Sequence, residues 1–143
     1  MSVTIRRTGS YAKALAKYEG LPTLMIGVPR KNSPRDDDTT NAMLLGYHQF
    51  GTKNMPARRP LDVLKTDKGF KDALRVAVKL HEPGVMKLAG VYGVDAIKAS
   101  IRAGLDPAIT PGTLAGRKVS TNPTPLIDTS QFINSIGYEV KYK

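Results

Sequence analysis

Apolar and polar residues alternate at two places along the chain. Val3 and Ile5 alternate with Thr4 and Arg6, and Ile136, Tyr138, Val140 and Tyr142 alternate with Gly137, Glu139 and Lys141. A period of two puts one set of side chains on one face, so both stretches predict half-buried strands. A third strand is predicted by the compact run Thr23-Leu-Met-Ile-Gly-Val28, bounded by Pro22 and Pro29.

Between the strands the period changes to that of a helix. Ala14, Leu15 and Tyr18 lie to one side of a short helix over 11–19, with Lys13 and Lys17 on another and Gly20 as its stop. Met43, Leu44, Tyr47 and Phe50 predict a helix closed by Gly51, with Asp38 or Thr39 as its cap. Phe70, Leu74, Ala77 and Val78 predict an amphipathic helix whose outer face carries Lys68, Lys71, Arg75 and Lys79, ended by Pro83-Gly84. Met86, Gly90, Val94, Ile97 and Ile101 form the stripe of a longer helix, flanked by Lys87, Asp95, Lys98 and Arg102. Gly90 and Gly93 lower its propensity but permit a close backbone approach to another element. A last short helix begins near Pro125, with Asp128 and Gln131 spaced as a capping box.

Two loops are polar and proline-rich, one over 30–38 and one over 53–60. The stretch 104–125 holds Pro107, Pro111, Pro123 and Pro125 with few periodic apolar residues, and predicts an arm or lid. Strands near both ends must pair to satisfy their backbones, with helices on one face. The expected architecture is α+β: a small mostly antiparallel sheet packed by several helices, with a long extended loop, in one domain over 1–143.

Composition narrows the chemistry. The 143 residues contain no cysteine, which excludes disulfides, thiolate metal sites and cysteine nucleophiles. Hydrophobic residues make up 41% and charged residues 24%, a globular balance. No apolar run approaches the ~20 residues of a membrane span, and the first residues show no apolar signal region. Lys and Arg outnumber Asp and Glu by 22 to 12, a balance that suits an acidic partner, either nucleic acid or a protein face, and equally a soluble protein that is merely basic.

Catalytic candidates are sparse. No phosphate-binding glycine loop is present, and Gly90-Val-Tyr-Gly93 falls inside a helix pattern. His48 and His81 stand in no nucleophile motif. Glu139 and Lys141 share a strand face, and Asp128 could join them around a divalent metal as a nuclease; the same pair equally suits a solvated edge strand. Asp36, Asp37 and Asp38 read either as a cation site or as acids at the positive end of a helix. Arg58 and Arg59 suit either phosphates or a carboxylate on an adjacent subunit.

Two segments carry a resemblance. His48-Gln-Phe-Gly-Thr52 followed by Met55-Pro-Ala-Arg58 resembles the "His-Glu-Phe-Gly-Thr … Ile-Pro-Ala-Arg-Pro-Phe" signature of a tailed-phage morphogenesis family. The closing stretch Pro125-Leu-Ile-Asp-Thr-Ser-Gln-Phe-Ile-Asn-Ser-Ile-Gly-Tyr-Glu-Val140 resembles that family's "Pro-Leu-Ile-Asp-Thr-Gly-Gln-Leu … Ser-Ile … Val". The family is similar to minor tail and tail-completion (head–tail joining) proteins of lambda-like phages and to virion morphogenesis proteins of Mu-like phages. Gln49 stands for its Glu, Arg59-Pro60 for its Pro-Phe, and Ser130 for its Gly.

The resemblance implies a non-enzymatic virion protein without cofactor or metal, made in the host bacterial cytoplasm. It implies a homo-oligomeric ring at the head–tail junction or tail end, touching neighbouring neck and tail proteins (connector or stopper, tail terminator or tail tube) and no membrane. Packaged DNA would pass through the ring without sequence-specific binding. A tail terminator or assembly factor is the alternative within that class, and a basic DNA-binding protein the alternative outside it. Lys53, Arg58, Arg59, Thr113, Arg117 and Lys118 are the residues expected to contact a neighbouring subunit or ring.

Overall fold

The computed structural model describes residues 18–35, 39–109, 111, 115 and 131–142. The expected strand over 3–8, the body of the helix over 11–19, the acids Asp36, Asp37 and Asp38, most of the 104–125 stretch and the Asp128 cap lie outside the described residues.

The fold is α+β. Strand β1 (Thr23–Gly27) is followed by a 3-10 turn (Arg30–Asn32), helix α1 (Asn41–Phe50) and a second 3-10 turn (Pro60–Lys65). Helices α2 (Lys68–Leu80) and α3 (Pro83–Ala103) follow, then the short α4 (Gln131–Ser135) and strand β2 (Gly137–Lys141). Among the described residues the sheet has two strands. β1 pairs with β2 antiparallel, Leu24 opposite Val140 and Ile26 opposite Tyr138. That register puts Leu24, Ile26, Tyr138 and Val140 on the face toward the helices, and Thr23, Met25, Glu139 and Lys141 on the other.

α3 is the spine of the molecule, and its expected stripe is the buried one: Met86, Gly90, Val94, Ile97 and Ile101 are all interior. Val94, Ile97 and Ile101 pack with Phe132, Ile133 and Ile136 in the main core. Met86 packs with Leu21 and Ala77 in a smaller cluster beneath β1 and β2. Gly90 and Gly93 make the close approach expected of them. A Cβ on Gly90 would sit 2.5 Å from Tyr138 Cδ2, and one on Gly93 2.5 Å from Ile26 Cδ1.

The helix boundaries correct three expectations. Thr40, rather than Asp38 or Thr39, caps α1: its Oγ1 accepts from the Met43 N–H at 3.1 Å. α2 is stopped by His81, not by Pro83-Gly84. His81 turns left-handed (φ 53°) and donates its N–H to the Ala77 carbonyl at 3.0 Å. Pro83 opens α3 instead, at the first helical turn, where a missing N–H leaves no bond unmade. Within the stretch expected to be extended, Pro111 and Ala115 have helical backbone.

The buried Asn41 explains how α1 is held at its start. Its Nδ2 donates to the Asn32 carbonyl at 2.9 Å and its Oδ1 accepts from Arg35 at 2.9 Å. Asn32 in turn donates to the Ser135 carbonyl at 3.2 Å, which ties the turn after β1 to the end of α4.

Alanine is a better helix former than glycine by about 1 kcal/mol, yet Gly90→Ala is expected to destabilise the protein. The new Cβ meets Cγ and Cδ2 of Tyr138, atoms at the root of a ring that cannot swing aside. A net loss of about 1–3 kcal/mol is expected in urea unfolding. Gly93→Ala should destabilise too, since its Cβ would meet both the tip of Ile26 and, at 3.1 Å, the ring of the buried Phe70. A Gly90→Ala protein more stable than wild type would refute the contact.

Candidate functional site

The first of the two resembling segments folds back on the helix that begins it. α1 ends at Phe50, and Gly51 turns away with φ 76°, its N–H on the Tyr47 carbonyl at 2.7 Å. Thr52 and Met55 exchange backbone hydrogen bonds of 2.8 and 3.3 Å across a tight turn that has Lys53 and Asn54 at its tip. The chain then returns to α1, where the His48 carbonyl accepts from the N–H groups of Arg58 at 2.7 Å and Arg59 at 3.0 Å. A Cβ on Gly51 would lie 3.0 Å from the Ala57 nitrogen, so the returning strand passes too close for any larger residue. Arg59 adopts a left-handed conformation (φ 49°) and starts the Pro60–Lys65 turn.

Gln49 locks the return. Its Oε1 accepts from the Leu61 N–H at 3.0 Å and its Nε2 donates to Asp62 at 3.0 Å. An amide can do both at once, whereas an ionised carboxylate only accepts. The bond from Gln49 holds the Asp62 carboxyl below its ordinary range, with Lys65 at 3.3 Å and Arg59 acting in the same sense.

His48 is the buried hub, at 8% exposure. Its ring tilts against Phe132 with centroids 6.0 Å apart. Its Nδ1 is buried without a hydrogen-bond partner. Burial, and secondarily the Arg58 cation, lower its pKa to about 4, so the imidazole is neutral at pH 7.

The contact residues expected from the sequence are distributed unevenly. Lys53, Arg58 and Arg59 come together on this segment, while Thr113, Arg117 and Lys118 lie outside the described residues. Lys53 and Arg59 are exposed. The guanidinium of Arg58 is engaged within the chain. Nε donates to the Pro107 carbonyl at 2.7 Å and a terminal nitrogen to that of Ala108 at 3.5 Å. These carbonyls follow α3 in an irregular segment and need donors.

α1 forms at the predicted spacing, but its apolar residues are not buried alike. It turns Leu44, Leu45, Asn41 and His48 inward, and leaves Met43 44% and Phe50 84% exposed. Asp72 stands among the basic residues predicted for the outer face of α2. It pairs with Lys68 at 2.6 Å and Arg75 at 3.2 Å, and so interrupts the basic face of α2. An acid four places after Lys68 and three before Arg75 was the available signal.

Glu139 and Lys141 lie on the outer sheet face as expected, but Asp128 is outside the described residues. Among the described residues no group of three acids or histidines is placed to hold a metal ion, and no helix is long and apolar enough to cross a membrane. Compared with family models, curated proteins and solved structures, the chain matches none.

Two outcomes follow from this geometry. His48 has an ordinary value of 6.5 and a folded value of about 4, so the native state binds fewer protons between them. Its stabilising contribution is therefore complete above pH 6.5 and is lost as pH falls toward 4. From pH 7 to 4.5 the wild type should lose about 2–3 kcal/mol more than His48→Gln in urea titrations; parallel losses would show that His48 is not the buried neutral group.

Gln49→Glu keeps the acceptor for Leu61 but places a second carboxylate beside Asp62. One of the two carboxyls must then titrate above its ordinary range. This destabilises the fold above that range, and the effect is relieved as pH falls. The variant should unfold more easily than wild type at pH 7, with the gap narrowing toward pH 4. A gap independent of pH would contradict the Gln49–Asp62 bridge.

Proposed function

We propose that this chain is a structural protein of a tailed-phage virion, one subunit of a homo-oligomeric ring at the head–tail junction that completes the tail and joins it to the capsid. The observation that carries this reading is the build of the 48–60 segment. Its backbone is locked to α1 through the His48 carbonyl, Gln49 and the Thr52–Met55 bridge. It holds Phe50 and Lys53 outside the chain's own core. A rigid platform that exposes an aromatic ring loses little entropy on docking and supplies the kind of side chain that dominates assembly contacts. The resemblance carried by this segment and by the closing stretch supports the same reading.

In this role the protein would touch neighbouring neck and tail proteins. Its charge of +10 would tolerate DNA passing through the ring. A tail terminator or assembly factor would use the same platform transiently. The net charge also favours a basic DNA-binding protein, although Asp72 on the α2 face weakens that case.

The test is to find the protein in particles. Purified virions should contain it in a constant copy number, placed at the neck by labelled electron microscopy. Loss of its gene should leave filled heads and tails unjoined. Presence on tail intermediates alone would point to an assembly factor. Tight, salt-dependent duplex binding by the isolated chain, together with absence from every particle, would overturn the structural reading.

A further inference from the structure

α2 carries its charge in a line. Lys68, Lys71, Arg75 and Lys79 recur every three or four residues, so they share one edge of the helix. All four are exposed, whereas Phe70 and Ala77 on the opposite side are buried, where α2 packs on α3. From Lys68 to Lys79 the row runs about 16 Å. Over that length a DNA duplex presents about ten phosphates.

Asp72 is the acid set among these cations, 2.6 Å from Lys68 and 3.2 Å from Arg75. The side chains of Lys68 and Arg75 are nevertheless 89% and 71% exposed. Exposed pairs of this kind are weak, so another anion can share the same cations. Four cations against one acid leave the edge positive.

A ring subunit has two anionic surfaces within reach, another copy or the DNA that passes through. Among the described residues another copy offers no matching row. Glu82 lies in the α2–α3 turn, Asp95 on α3, Asp106 beyond it and Glu139 on β2, and no three acids or histidines are gathered at one point. Protein contacts also favour aromatic residues and arginine over lysine, and three of the four cations here are lysines. Phosphate oxygens accept from lysine and arginine alike.

We infer that the outer edge of α2 lines the ring's passage, with Lys68, Lys71, Arg75 and Lys79 against the phosphates of duplex DNA. The inference rests on the ring reading and names the face turned to the passage. Contacts to phosphate carry no sequence information, which suits DNA that slides past. Asp72 serves the same end, because it keeps the row from holding the duplex fast.

The test titrates the full chain with a short duplex of random sequence over a range of salt. The wild type should bind weakly at low salt, with a slope of log affinity against log salt of about −3. Lys71→Glu and Lys79→Glu should each weaken binding about fivefold and flatten the slope by about 1. Asp72→Asn should tighten binding several-fold and steepen the slope by about 1, a gain that misfolding does not produce. Lys31→Glu makes the same change of charge at an exposed lysine in the turn after β1, and should leave affinity within about twofold. In purified particles a photocrosslinking group at position 71 should attach to DNA, and one at position 31 should not.

No binding at low salt, or binding indifferent to the α2 changes, overturns the inference. Salt-sensitive self-association that Lys71→Glu abolishes does so too, since it assigns the row to a contact between copies. Tighter binding of polyglutamate than of the duplex would assign the row to an acidic protein face instead. Row-dependent binding by a protein absent from virions keeps the α2 surface and sinks the neck reading. A neck protein that crosslinks to DNA through position 31 and not 71 does the reverse.

Discussion

The sheet can lie against α3 only where α3 has no side chains. Tyr138 occupies the space a Cβ would fill at Gly90, and Ile26 does the same at Gly93. Each strand thus contributes one large side chain that fits over one glycine. The antiparallel pairing places those two residues opposite each other. Glycine carries a propensity penalty of roughly 1 kcal/mol in a helix interior; here burial of two large side chains against bare backbone offsets it. With the sheet seated, Val94, Ile97 and Ile101 continue the same face of α3 into the main core with Phe132, Ile133 and Ile136.

The segment from His48 to Pro60 works on another principle, since backbone polar groups hold it more than apolar contact does. One carbonyl, that of His48, takes two N–H groups from the returning chain, and one side-chain amide, that of Gln49, takes up the start of the next turn. The histidine ring beneath is neutral because water is excluded from it. Arg58 then extends the arrangement to the residues that follow α3. Two stretches far apart in sequence thus meet near the end of α1, beside the exposed Phe50.

Much of this was legible in the residues. The α3 stripe, the alternation in β2 and the meaning of Gly90 and Gly93 could be read directly, because periodicity and bulk are local signals. The face of α1 could not. Met43, Tyr47 and Phe50 are as apolar as Leu44 and Leu45, so hydrophobicity alone does not say which side is covered. Asn41 and His48 decide it, through partners at Asn32 and Phe132 that no spacing rule connects to them. At the end of α2, Pro83-Gly84 looks like a stop. The proline in fact suits a first turn, and His81 supplies the left-handed residue. The partner of Arg58 was hidden altogether: a guanidinium held by main-chain carbonyls leaves no complementary side chain to notice.

The pairing of β1 with β2 joins positions 24 and 140, close to the two limits of the described chain. α2 and α3, by contrast, are neighbours joined by a two-residue turn and pack on each other locally. A helical hairpin of that kind forms early, while a contact across so much intervening chain must wait for its loop to close. During synthesis, then, β1 emerges long before its partner, and Gly90 on α3 stays without its Tyr138 cover until β2 leaves the ribosome. β2 completes the pair, and a polypeptide truncated shortly before it would carry the hairpin without Tyr138 over Gly90.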